Sequence, residues 1–271
     1  MTDELDDDAL ADAYNLALDL EHAGKLDEAA KAYQAVLALD PADHGGASVR
    51  LAAMGKGEAP DQAPAAYVAT LFDQHAEVFD GILVEQLGYA VPMMVRERLE
   101  ALKLGPFDRL LDLGCGTGLS GETLEDQAKH LTGVDLAAGM IEMSDEKEIY
   151  DELYVADATH FLQNHEAAKW DLIIATDVLP YIGDAVPLFQ ATAKRLKADG
   201  LFVFSTETIG AEVLKDRNWT VTPYQRYAHS AEYIGQELAR FGLSVLEQSE
   251  ITVRFEQGAP IPGHLIVAQV P

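Results

Sequence analysis

Gly114, Gly116 and Gly118 alternate through Gly114-Cys115-Gly116-Thr117-Gly118, directly after the run Leu110-Leu111-Asp112-Leu113. An apolar strand-type run that enters such a turn, with a helix predicted from near Leu119, presents bare backbone where a Cβ would keep a ligand away. A nucleotide-like ligand is implied. Gly116-Thr117-Gly118-Leu119-Ser120-Gly121 also fits the dinucleotide-binding fingerprint to the letter. That fingerprint places its first glycine directly after the strand, however, and counting from Gly114 puts Leu119 where the third glycine belongs. Asp112 at the strand end would also set a negative charge beside a pyrophosphate, whereas a carboxylate there suits a cationic ligand.

The elements that must hold this turn follow from periodicity. From Arg109 onward, strand-like runs at Leu110–Leu113, Leu131–Asp135, Leu153–Ala156, Leu172–Ala175 and Leu201–Ser205 alternate with helix-length segments. This is the pattern of a parallel sheet with helices on both faces. The chain then reads as a helix over Ser230–Phe241 and two strands, Leu243–Gln248 and His264–Val270, which form an antiparallel hairpin closing the sheet. Ahead of the sheet, residues 65–105 are predicted as a helical lid and residues 56–64 as a linker. Residues 1–55 are predicted as a helical hairpin in which Leu16, Leu20, Ala29, Tyr33, Val36 and Leu37 share one buried stripe. The order Leu16, Ala17, Gly24, Ala29, Tyr33, Pro41 resembles a single tetratricopeptide repeat, with Ala13 where the repeat usually has tryptophan. A plain hairpin covering its neighbour reads equally well.

Taken together, these motifs resemble the class I S-adenosylmethionine-dependent methyltransferases over roughly Tyr67 to Val270. The resemblance implies a Rossmann-like, doubly wound, seven-stranded α/β sheet in residues 106–271. It rests on Leu110–Gly118, Gly133-Val134-Asp135, Val155-Ala156-Asp157-Ala158, Trp170–Leu179 and Leu196–Phe202, in the family's order. It implies S-adenosyl-L-methionine as cofactor, held by Asp112, Gly114, Cys115, Gly116 and Gly118. Asp135 would take the ribose hydroxyls, Leu136 and Met140 the adenine face, and Asp157 with Ala158 the adenine edge; Thr176 and Asp177 would complete the site. For Asp135 and Asp157 a helix N-cap is the plain alternative. The N-terminal hairpin added to this core resembles bacterial methyltransferases that carry such a repeat.

Methyl transfer asks the protein to align an acceptor, exclude water and in some cases remove a proton. Tyr67 and Phe72 in the lid, Tyr181 after the fourth strand and Arg226 are the candidate substrate residues. Arg226 lies in Asn218–Ser230, a stretch rich in rings that also supplies His229 as candidate base, with Tyr227 beside it. The alternatives are a structurally bonded histidine and an arginine bracing an internal acid. Asp177-Val178-Leu179-Pro180-Tyr181 departs from the motif of enzymes that methylate amino groups of nucleobases or protein side chains. No metal site is expected, because Asp177 and Glu207 lack the acid–asparagine partner of magnesium-dependent relatives.

The whole chain, 271 residues with 46 Asp+Glu against 19 Lys+Arg, carries −27. That field repels phosphate backbones and anionic bilayers, so neither nucleic acid nor membrane is an expected partner. One cysteine and no apolar leader point to the cytoplasm. The reading is a methyltransferase for a small-molecule acceptor, with a protein partner on the N-terminal helices among the expectations. The alternative is a cofactor-binding regulatory protein that docks a partner through those helices.

Overall fold

In a computed structural model of the chain, which describes residues 7–165 and 169–271, the sheet has nine strands rather than seven. They are β1 Phe107–Leu113, β2 Ala128–Asp135, β3 Glu152–Val155, β4 Trp170–Ala175, β5 Leu196–Glu207, β6 Trp219–Val221, β7 Tyr227–His229, β8 Ser244–Glu256 and β9 Ala259–Gln269. The order β3-β2-β1-β4-β5 is parallel, β9 joins β5 antiparallel, and β8 pairs with β9. The two strands beyond the expected seven form a short ribbon, β6–β7, attached to the end of β5 by the pair Glu207–Ala228. At three residues each, they are too short for alternation in sequence to reveal them.

Eleven α-helices are described: α1 Asp7–His22, α2 Leu26–Leu39, α3 Ala47–Ala53, α4 Ala65–Asp73, α5 Val91–Ala101, α6 Leu119–Leu124, α7 Ala138–Asp145, α8 Ala158–Asn164, α9 Val186–Arg195, α10 Ala211–Leu214 and α11 Ala231–Arg240. Residues 1–6, at the acidic start of the chain, lie outside the described residues.

The period of two in the strands sorts the core into two layers. Leu111, Leu113, Ile173, Ala175, Phe202 and Phe204 face α8, α9 and α11. Leu110, Leu172, Ile174, Leu201 and Val203 face α5 and α6. Both faces are covered, so the central strands read as near-continuous apolar runs.

The hairpin α1–α2 packs through Ala17, Ala29, Tyr33 and Val36. Leu16, expected on its buried stripe, is 56% exposed. Ala17 takes the inward position, about 100° further round the helix. Residues Asp61–Ala63, in the stretch read as a linker, are tied to the loop after β4. The Ala63 amide donates to Tyr181 and the Gly183 and Asp184 amides donate to Asp61, each at 2.8 Å.

Candidate active site

Strands β1 and β4 pair in parallel register, Asp112 opposite Ile174, and so end together. Beside them β2 and β3 end at Asp135 and Val155. Over this carboxyl rim opens a cleft of about 970 Å³, part of it open to solvent. Its sheet-side wall is the Gly114–Thr117 turn, Asp135, Leu136, Ala156, Asp157, Ala158, Thr176 and Asp177; its outer wall comes from the lid and from the loop after β4.

The turn needs its glycines. Gly114 and Gly116 have φ of 65° and 55°, and a Cβ on Gly114 would sit 2.6 Å from Val178 Cγ2. The Gly116 amide donates to Asp135 Oδ2 and the Ala137 amide to Oδ1, both at 2.9 Å. Burial raises the Asp135 carboxyl pKa, while the amides of Ala137, Gly116 and Leu136 act in the opposite sense. Each oxygen keeps a lone pair for a ligand. Asp157 is both things at once: its side chain caps α8, accepting from His160 N at 2.8 Å, and it lines the cleft.

Not every predicted site residue reaches the cleft. Asp112 is fully buried on the α5–α6 face, the face of Leu110 two residues earlier, and accepts from the Tyr150 hydroxyl at 2.7 Å. Burial pushes its pKa up to about 7. Met140 is buried with Ala76 and Ala137, behind Phe72 and Phe79. Gly118, φ 92°, faces Ser144 and Tyr150. Among the residues expected at the cofactor, Gly114, Cys115, Gly116, Asp135, Leu136, Asp157, Ala158, Thr176 and Asp177 do line the cleft. Burial raises the pKa of the Cys115 thiol, leaving it a protonated wall group at neutral pH.

The expectation of His229 as base fails on placement. Its ring is sealed under the β6–β7 ribbon, with Nε2 donating to the Gly183 carbonyl at 3.1 Å, and it stacks on Tyr233. Burial lowers its pKa to about 4. Below pH 6.5 the unfolded chain therefore binds a proton that the folded chain refuses until about pH 4. This contribution to stability is complete above 6.5 and drains away as pH falls through that window. His229→Leu will give a shallower loss of stability between those pH values, read by urea unfolding at a series of pH.

Tyr227 fails in the same way: it is buried, and its hydroxyl donates to the Pro60 carbonyl at 2.9 Å, holding the 56–64 stretch against the domain. Tyr67 packs on Gly46 at the start of α3 instead of lining the cleft. Phe72 and Tyr181 do line it, with ring centroids 5.3 Å apart. Arg226 stands behind Tyr181, its guanidinium 4.6 Å from that ring's centroid.

Sequence reasoning missed Gln62 and Ala63, which line the cleft from a stretch with linker composition. It also missed Arg254. A register shift in β8 between Thr252 and Arg254 lets the adjacent Val253 and Arg254 both turn inward, so Arg254 is 4% exposed. Its Nη1 meets Glu207 Oε1 directly and lies 3.7 Å from Asp177 Oδ1. The signal available was an arginine within an otherwise strand-like run, Ile251-Thr252-Val253-Arg254-Phe255. Among the described residues no three His, Cys, Asp or Glu side chains group as metal ligands. A guanidinium, instead, bridges Asp177 and Glu207.

The lid is latched at two carboxylates. The Gly139 amide donates to Asp73 at 2.8 Å, and Asp80 accepts from Thr117 Oγ1 and from Lys147 Nζ. Asp80→Ala removes partly exposed bonds worth about 1 kcal/mol. Release of S-adenosylhomocysteine is expected to quicken about fivefold, measured by surface plasmon resonance.

Residues 85–248, more than half of the chain, match the family model described as methyltransferase domain. The chain belongs to this family. This methyltransferase domain is 24% identical over 170 residues to the malonyl-[acyl-carrier protein] O-methyltransferase of Legionella pneumophila, an alignment covering 62% of this chain and 58% of that one. The chain thus spans less than two thirds of that relative. Among solved structures it resembles an S-adenosylmethionine-dependent methyltransferase from Clostridium acetobutylicum, with a TM-score of 0.55 and 21% identity over 74% of this chain and 99% of that one. It also resembles magnesium protoporphyrin IX methyltransferase from Synechocystis, solved with S-adenosylmethionine bound, with a TM-score of 0.51 and 15% identity over 76% and 84%. No relative supports the regulatory alternative. No described helix is long and apolar enough to cross a membrane.

Proposed function

We propose that this chain transfers a methyl group from S-adenosyl-L-methionine to a small-molecule acceptor held between the lid and the sheet rim. The cofactor is S-adenosyl-L-methionine, which supplies a methyl group already activated on a sulfonium sulfur. The observation that carries the reading is the Asp135 carboxylate, braced by two backbone amides and still able to accept from a diol at the cleft wall. Around it, the glycine turn offers bare backbone, Leu136 and Ala158 an apolar seat for a flat ring, and Asp157 an acceptor at the far edge. Phe72, Phe79 and Leu83 roof the cleft and exclude water from it.

The hairpin α1–α2, tetratricopeptide-like in its residue order, is an accessory to this activity and a docking unit for a protein partner. Calorimetry tests the cofactor reading: heat is expected with S-adenosylhomocysteine and none with NADH, and the reverse pattern removes the proposal. Methyl-labelled S-adenosylmethionine incubated with a metabolite pool then reads transfer directly.

A further inference from the structure

On the acceptor side of the cleft the wall is aromatic and apolar: Phe72, Phe79, Leu83, Tyr89 and Tyr181. One carboxylate interrupts it, that of Asp177, whose side chain is 19% exposed. Asp177, two residues beyond the end of β4, has φ 59°, a left-handed conformation that Asp tolerates, and its amide donates to Ser205 Oγ at 2.9 Å. Its Oδ1 is buried without a hydrogen-bond partner, turned toward Arg254 Nη1 at 3.7 Å, so the part of the side chain that meets the cleft is its other edge. Arg254 is shared: Glu207 holds the same nitrogen directly, and Glu256 lies 3.6 Å from Nε. The residue after Asp177, Val178, touches Gly114 of the glycine turn. A carboxylate anchored on one side by Arg254 and partly exposed to the cleft on the other therefore stands beside the turn, at the opposite end of the rim from Asp157.

We infer that Asp177 is the catalytic residue that accepts the hydrogen of the incoming nucleophile, and that the acceptor is an apolar or aromatic compound offering a hydroxyl or an amine, not a carboxylate. This rests on the methyl-transfer reading. In the step, the acceptor's lone pair forms the new bond to the methyl carbon. The carbon–sulfur bond breaks with its electron pair going to sulfur, leaving S-adenosylhomocysteine, and the proton of the O–H or N–H passes to Asp177. A carboxylic acid arrives ionised at neutral pH, brings no proton and is repelled by the Asp177 charge. Arg254 is a positioning residue, fixing which way the Asp177 carboxylate points.

The test uses three probes with one aromatic body, benzylamine, phenol and benzoate, titrated into the full chain saturated with S-adenosylhomocysteine and read by ligand-observed NMR. Benzylamine and phenol are expected to bind at millimolar concentrations and benzoate about tenfold more weakly. Asp177→Asn keeps the shape and tolerates the same backbone conformation. It should weaken benzylamine about tenfold while S-adenosylhomocysteine affinity stays within about twofold. Benzoate binding as well as benzylamine, an Asp177→Asn variant that holds benzylamine unchanged, or no binding by any probe overturns the assignment. Loss of S-adenosylhomocysteine affinity in the variant also overturns it, because Asp177 would then serve the cofactor. Failure of the unaltered protein to bind S-adenosylhomocysteine is a separate result, which removes the methyl-transfer reading itself and the assignment with it.

Discussion

Arg254→Met is expected to destabilise the fold by about 3–5 kcal/mol, the cost of leaving a buried carboxylate without its cation. Arg254 and Glu207 have side chains 4% and 2% exposed, and the guanidinium contacts the carboxylate directly. Burial already raises the pKa of Glu207, with Arg254 acting against that rise. Without Arg254 the folded chain will hold a proton on Glu207 that the unfolded chain gives up at ordinary carboxyl pKa. The deficit should therefore shrink as pH falls from about 8 toward about 5. Adding Glu207→Gln should restore most of the stability, since a neutral side chain of the same shape no longer demands a partner. Urea unfolding of both variants at the two pH values measures this. A single variant as stable as the parent at pH 8 would show that the pair is not buried as described.

The second large effect concerns the cofactor. Asp135→Ala should weaken S-adenosylhomocysteine binding by about a hundredfold, the worth of two charge-assisted hydrogen bonds less the water that replaces them. Calorimetry reads the loss, and Asp135→Asn serves as the milder companion. Two amides, Gly116 and Ala137, also lose their acceptor in the alanine variant. Its unfolding midpoint must therefore be measured alongside, to separate loss of affinity from slackening of the turn.

The sheet-side wall of the cleft was legible because it is built from short-range patterns. The alternating glycines, and acids at the ends of successive strands, are spaced by the length of a strand and its crossover helix. The rest of the site was not: His229 and Tyr227 lie in a stretch rich in rings, which reads as a reactive segment. That stretch folds into the β6–β7 ribbon, whose side chains turn inward to bond Gly183 and Pro60. Spacing along the chain cannot tell a ring that faces a ligand from one that fills a core.

By itself the sequence determined the parallel sheet, the glycine turn and the acids Asp135 and Asp157, because period-two burial and backbone sterics act within a few residues. Only the tertiary structure decided that Asp112 points away from the cleft, that Asp61–Ala63 join its wall, and that Arg254 reaches Glu207 and Asp177. Each of these depends on which elements lie beside which, and the last also on the register shift between Thr252 and Arg254 in β8. Pairings across tens of residues, set by the packing of the whole sheet, leave no local pattern to read.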